Sequence, residues 1–317
     1  MLRKVNIGNT GISITELCHG TLILGPLQAD LSPEQGAKAI SKSYEMGVNF
    51  YDTAEGYHTY AHLALGLKGA PEDKVVIASK SHAVSYDQMK KAVEDCLKQL
   101  GRSYVDIFHL HLVASEQTLN ERQGAVECLV DMKKRGSIRA IGASTHTIAG
   151  VRALNNEPDF DVVFPVLNQH GLGIIDGKLD GMLEALKETK RLNKFVYAMK
   201  PLGGGHLASE AAESFRYLRD LPVCDAVAAG MKDEAEVEMN VAIFEDRPVP
   251  DEIKNRVGAV NRRLVVYDRC VSCGLCIEEC DQDALSMGET KVQVDQSKCI
   301  LCGYCAAVCP EYVIRVV

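Results

Sequence analysis

The last 52 residues carry eight of the chain's twelve cysteines, in two runs of identical spacing. The first is Cys270-x2-Cys273-x2-Cys276-x3-Cys280, and the second is Cys299-x2-Cys302-x2-Cys305-x3-Cys309, followed by Pro310. Residues 270–281 and 299–310 thus form an internal repeat. A disulfide framework fits poorly, because the spacing is that of metal ligands and nothing suggests secretion. Structural zinc on CxxC pairs is the competing reading, and two full matching runs weigh against it. The remaining cysteines, Cys18, Cys96, Cys128 and Cys224, are scattered and read as small buried apolar residues.

The repeat resembles the bacterial two-cluster ferredoxins, over roughly the last 50 residues. Three thiolates on a tight loop can cover three corners of a cubane, so the fourth ligand must come from elsewhere. The resemblance implies that the fourth cysteine of each run crosses to the other [4Fe–4S] cluster. One cluster takes Cys270, Cys273, Cys276 and Cys309; the other takes Cys299, Cys302, Cys305 and Cys280. Gly274 and Gly303 let the loops bend and bring N–H groups toward the sulfurs. Asp281 stands where the second run has Pro310. Residues 266–317 hold eight acidic and four basic side chains, which suits either docking to a basic redox protein or a merely solvated surface.

Residues 1–245 have another rhythm. Ser32, Pro33 and Gln35 form a helix start with a capping box, Ala37, Ile40 and Tyr44 share a face, and Gly47 marks the stop. An extended run follows at 48–51. Further strands are expected at 74–79, 105–110, 138–143, 161–166, 195–199 and 223–228. Helices are expected at 59–68, 85–100, 119–135, 147–154, 178–190, 207–219 and 232–243. With a strand near 15–20, eight strand–helix pairs result, which fits an α/β (β/α)8 TIM barrel better than an open sheet. Residues 246–265, with Pro248 and Pro250, read as a linker. The expected organisation is a barrel at 1–245, a linker at 246–265 and a small α+β ferredoxin-like domain at 266–317.

A formal charge of −8 argues against nucleic acid and anionic membranes as partners. No apolar run is long enough to span a bilayer, and the N-terminus lacks a signal-peptide pattern, so a cytoplasmic location is expected.

Four polar residues fall at or just after consecutive strand ends. They are Asp52, Tyr57 in DTAEGY, Lys80 in VVIASK and His111 in VDIFHLH. In a closed barrel these ends open on one face, where such enzymes act. Singly, each has a bland structural reading; together they form a constellation. With the opening RKVNIGNTGISITELCHGT, this set is similar to the aldo-keto reductase superfamily over about residues 1–245, and the cysteine module points to an iron–sulfur-containing branch of it.

The resemblance implies NAD(P)H-linked reduction of a small carbonyl or oxidation of an alcohol. Lys80, held by Asp52, would lower the pKa of Tyr57, His111 would orient the substrate oxygen, and Tyr57 would protonate it. Cofactor contacts would fall on Gly20, Thr21, Ser144, Asn168, Met199, Pro201, Leu202, Gly203, Gly230 and Lys232. Ser144 and Asn168 would hold the carboxamide, and the PLGGG turn at 201–205 would face the pyrophosphate. The stretch 230–240 departs from the pattern. Lys232 is its only basic residue, among Asp233, Glu234, Glu236 and Glu238, which sets NADP against NAD. Met199 stands in the place of an aromatic ring. The family's long C-terminal substrate loop is missing, leaving the pocket either open or walled by the cluster module.

A hydride carries two electrons and each cluster accepts one, so exchange between the halves implies a flavin or a similar splitter. An active reductase whose clusters serve an external carrier is the first reading. An electron-transfer subunit of a larger complex with an inactive barrel is the second, and clusters that only brace the fold are the third.

Overall fold

The computed structural model describes residues 1–258, 263–311 and 313–316. Residues 259–262, within the expected linker, and residues 312 and 317 lie outside the described residues.

Eight parallel strands close into a barrel. They are Leu17–Gly20, Phe50–Asp52, Val76–Ser81, Val105–Leu110, Ile138–Thr145, Val162–Pro165, Phe195–Ala198 and Ala226–Gly230, and the last pairs with the first through Val227 and Leu17. Most are rich in β-branched or small residues, because both faces of the sheet are covered, and Phe50–Asp52 is the exception. Helices fill the outside. The helix Pro33–Glu45 starts on the expected capping box, with Ser32 and Gln35 bonding each other's backbone N–H.

Two features differ from the sequence reading. The stretch 119–135 is two helices, Glu116–Asn120 and Gln123–Lys134. They part where Arg122 turns inward and donates to the carbonyls of Ala83, His111 and Ser81 at 3.1, 2.8 and 2.9 Å. Three charge-assisted bonds outweigh one turn of helix continuity. The second feature is an unanticipated hairpin, Lys4–Asn6 with Ser13–Thr15. Its Ile7, Ile12 and Ile14 pack with Phe50, Ile107, Val162 and Phe195 and plug the N-terminal end of the barrel.

The C-terminal module has two antiparallel strand pairs, Leu264–Val266 with Ile314–Val316 and Leu285–Met287 with Val292–Val294. Its short helices Leu275–Glu278 and Tyr304–Ala307 each start after a left-handed glycine, Gly274 (φ 84°) and Gly303 (φ 82°). The second cysteine loop lies on the barrel's C-terminal mouth. A Cβ on Gly204 would overlap the Ile300 carbonyl, and one on Gly303 would overlap that of Leu27. Gln28 Nε2 donates to Leu301 O at 3.1 Å, and the His206 ring bonds the Cys299 carbonyl. The pocket is therefore walled by the cluster module, which settles the alternative left open by the missing C-terminal loop.

Ile14 is fully buried in the plug. We expect Ile14→Ala to lower stability by about 2–5 kcal/mol and Ile14→Val by about 0.5–1.5 kcal/mol in chemical denaturation.

Candidate active site

Side chains alternate along each barrel strand, so every second residue points inward. Phe50, Ala78, Ile107 and Phe195 belong to the apolar floor above the plug. One step of two residues upward lie Asp52, Lys80, His109 and Tyr197. These four form a buried polar layer. Lys80 Nζ donates to Asp52 Oδ1 at 2.5 Å and to Thr53 O at 2.7 Å. Tyr197 Oη donates to Asp52 Oδ2 at 2.9 Å and lies 2.8 Å from His109 Nε2. If the one phenolic proton points to Asp52, His109 must present Nε2–H to the Tyr197 oxygen. Gly142 makes room for that imidazole, since a Cβ there would overlap it.

The Lys80–Asp52 pair is almost fully buried, at 1% and 5% exposure. Burial pushes the Lys80 pKa down and the Asp52 pKa up, and each partner opposes the shift of the other. Burial also holds His109 and His111 well below the ordinary histidine range, so both are neutral.

Tyr57 closes the short turn Glu55–Tyr57, which Ser81 Oγ fixes by donating to Glu55 Oε2 at 2.6 Å. Lys80 Nζ sits 4.8 Å from the centre of the Tyr57 ring. The rings of Tyr57 and His111 meet edge to face at 5.7 Å. Asp52, Tyr57, Lys80 and His111 are thus gathered at one mouth. The expected lowering of the Tyr57 pKa by Lys80 is not met in this arrangement. Burial, then the neighbouring Tyr304 and Asp52, push it well above its ordinary value. The ammonium lies over the ring, and Tyr304 covers the hydroxyl.

A cavity of about 290 Å³ runs from Asp52, Tyr57 and Met199 past the 201–205 turn to Glu236 and Asn240. Gly20, Met199, Pro201, Leu202 and Gly230 line it, as do Gly204 and Gly205; Gly203 is not among the lining residues. Thr21, Ser144, Asn168 and Lys232 are also not among them. Thr21 Oγ1 bonds Asp52 O and the Thr59 hydroxyl, and Ser144 Oγ accepts from Leu112 N. Asn168 Nδ2 donates to Leu172 O at 2.8 Å and, at the longer 3.3 Å, to Lys200 O, while its Oδ1 accepts from Leu172 N. Lys232 Nζ is 3.7 Å from Glu236 Oε1. The far end of the cavity has one orphan: Asn240 Oδ1 is buried without a hydrogen-bond partner among the described residues. A long cavity with an unpaired acceptor at one end and Asp52 and Tyr57 at the other fits a dinucleotide, while Lys80 and His111 are not among its lining residues.

The cysteines line two further cavities. Cys270, Cys273, Cys276 and Cys309 face one; Cys280, Cys299, Cys302 and Cys305 face the other. These are the two crossed sets. Ser272 N lies 3.4 Å from Cys270 Sγ, an N–H aimed at a sulfur as cluster loops require. The donor sets fit [4Fe–4S] clusters.

Sequence reasoning missed three residues. His109 and Tyr197 are in phase with His111 and Met199, two residues along their strands, and that alternation was the available signal. Tyr304 is the third. It lies between Cys302 and Cys305 and puts its hydroxyl 3.2 Å from His111 Nε2. Nothing local in the sequence foretells that contact.

Closed barrel and C-terminal cysteine module together define the class of the chain. The chain matches the Aldo/keto reductase family over residues 16–240 and the 4Fe-4S dicluster domain over residues 269–313. The first match covers more than half of the 317 residues, and the chain belongs to the aldo/keto reductase family, with a C-terminal ferredoxin-type domain. It is 26% identical over 204 residues to "Probable aldo-keto reductase 1" of Glycine max, covering 55% of this chain and 58% of that protein, less than two thirds of its length. It is 24% identical over 240 residues to the NADH-specific methylglyoxal reductase of Escherichia coli, covering 68% and 72%. In fold it is similar to an aldo-keto reductase of Bacillus halodurans in its holo form. The TM-score is 0.64 and the identity 19%, over 85% of this chain and 99% of that one. No helix among the described residues is long and apolar enough to cross a membrane.

Tyr197→Phe leaves Asp52 and His109 each one bond short in a buried layer. We expect it to cost about 1–3 kcal/mol in denaturation measurements. Cys280→Ala should lower anaerobically measured iron from about eight to about four atoms per chain. A variant that keeps all its iron would remove Cys280 from the ligand set.

Proposed function

We propose that the chain is an NAD(P)H-linked oxidoreductase that reduces a small carbonyl, or oxidises the matching alcohol, and exchanges electrons with an external carrier through two [4Fe–4S] clusters. The gathering of Asp52, Tyr57, Lys80 and His111 at one mouth of the barrel, with Asp52 and Tyr57 lining the end of the long cavity, supports this reading. In it a bound nicotinamide would give hydride to the carbonyl carbon or take it from the alcohol carbon, and the clusters would carry the same two electrons singly, from the external carrier during reduction or to it during oxidation. Asp52 fixes Lys80, and Lys80 places positive charge over Tyr57. His111, neutral, hydrogen-bonds the substrate oxygen through Nε2 and orients it. Tyr57 gives that oxygen its proton and takes a replacement from solvent when the mouth opens.

The acidic end of the cavity favours NADH over NADPH. Glu236, with Asp233 and Glu234 beside it at the helix start, would repel a 2′-phosphate that Lys232 alone cannot hold. The Escherichia coli relative is, by its name, NADH-specific, which agrees. The two-for-one electron mismatch calls for a flavin-type carrier, in the cavity or on the partner.

The partner would meet the first cysteine run, where Cys273 is exposed and Val271 and Leu275 are 60% and 45% exposed. The acidic surface around it suits a basic redox protein. The second reading, an electron-transfer subunit with an inactive barrel, is favoured by one observation: Tyr304 stands against the tetrad hydroxyl.

Anaerobic titration with NADH and NADPH separates these readings. NADH should bind about tenfold or more tightly than NADPH. Tyr57→Phe should lower NADH-dependent carbonyl reduction by about 10²-fold or more with iron content unchanged. Unchanged turnover removes Tyr57 from the mechanism, and absence of binding by either nucleotide ends the nicotinamide reading.

A further inference from the structure

We propose that Tyr304, carried by the second cysteine loop, is a specificity-determining residue that occupies the substrate-oxygen position of the barrel. The inference rests on the reading above that Tyr57 and His111 bind the substrate oxygen. The Tyr304 hydroxyl already stands against both of those partners. It lies 3.2 Å from His111 Nε2, and Tyr304 packs against the cluster that holds Tyr57. An oxygen set to accept from Tyr57 and His111 together would fall on the Tyr304 oxygen. The phenol thus sits where a substrate carbonyl or product alcohol would.

The ring is seated as well as the hydroxyl. Tyr304 packs against Leu22, Leu27, Ala54 and Tyr57, an apolar cluster of barrel loops and module. Its backbone is pinned from both sides. Cys302 and Cys305 belong to one crossed ligand set, and Gly303, in left-handed conformation, abuts the Leu27 carbonyl too closely for any side chain. The phenol therefore cannot leave by a shift of its own loop while that set is ligated. Only side-chain rotation or separation of module and barrel vacates the position. His111 Nδ1 has no partner among the described residues, so Tyr304 is the one side chain that engages this imidazole by a hydrogen bond.

Two consequences follow for substrate choice. Bulky carbonyl compounds are excluded, because the ring fills the mouth beside Tyr57. Any substrate accepted must either displace the phenol from His111 and Tyr57 or be small enough to enter beside it. The module thereby replaces, with one aromatic side chain, the selectivity that a C-terminal loop would otherwise exert.

The test uses the full chain with its clusters assembled anaerobically, and 4-nitrobenzaldehyde as the probe. Its binding is followed by equilibrium dialysis, and NADH oxidation is followed separately. Tyr304→Ala should bind the aldehyde about tenfold or more tightly than the parent, since two buried hydrogen-bond donors become available. Iron content and visible absorption should stay unchanged. The added change Tyr57→Phe should cancel most of the gain. Equal aldehyde affinity in parent and Tyr304→Ala overturns the proposal, as does a gain that Tyr57→Phe leaves intact. If Tyr304→Ala loses iron, Tyr304→Leu keeps an apolar side chain under the loop and is read in the same way. Because dialysis needs no turnover, tighter binding without NADH oxidation would uphold the role of Tyr304 and count against nicotinamide-linked reduction.

Discussion

Gly204 and Gly303 mark where barrel and module approach most closely, and both contacts are backbone against backbone. Neither position accepts a side chain, so the second cysteine loop is set down on the mouth at a fixed depth. That depth decides much else. It puts Ile300 and Leu301 into the wall of the long cavity, and it brings Tyr304 onto Tyr57 and His111. It also leaves Lys200 half-buried near Cys302, Asp281 and Cys299, where desolvation lowers the lysine pKa and those neighbours oppose the shift. A cluster held by this loop would sit against the barrel's reacting end and not at a distance from it.

Beneath the mouth, a polar layer is carried inside an otherwise apolar barrel. Asp52 is the acceptor that reconciles it, taking Lys80 on one oxygen and Tyr197 on the other. Burying one ion pair is costly unless every remaining donor and acceptor is satisfied. Here His109 and Thr53 O complete most of the set, and His109 Nδ1 has no partner among the described residues. The layer is rigid for that reason, and it gives Tyr57 a fixed positive neighbour. Covering the mouth strengthens each of these interactions, while burial raises the pKa of the Tyr57 phenol and holds it protonated.

Much of this could be read from residue order alone. The strand Val105–Leu110 was legible to the residue because a β-branched and aromatic run is bounded by polar turns. The crossed thiol sets and the start of the helix Pro33–Glu45 were legible because spacing and capping are local matters. The tetrad was legible because strand ends of a barrel share a face. What stayed hidden depends on tertiary contact. The break at Arg122 is forced by carbonyls of two distant loops, and the plug formed by Ile7, Ile12 and Ile14 is recognisable only once the barrel exists. Among the expected cofactor contacts, Thr21, Ser144 and Asn168 have their polar atoms occupied by nearby backbone, which no pattern of residue types discloses. Tyr304 is the extreme case, with 193 residues of chain separating it from His111.

Family membership and the ferredoxin-type domain rest on agreement among fold, site and comparison. The central claim is spatial: two crossed thiol sets, the second of them resting on the barrel's C-terminal mouth. Anomalous scattering at the iron edge from anaerobically grown crystals addresses it directly. Two iron centres are predicted, one ringed by Cys270, Cys273, Cys276 and Cys309, the other by Cys280, Cys299, Cys302 and Cys305 beside His146 and Tyr304. Single-ion sites on CxxC pairs, or a second centre standing clear of the barrel, would contradict it.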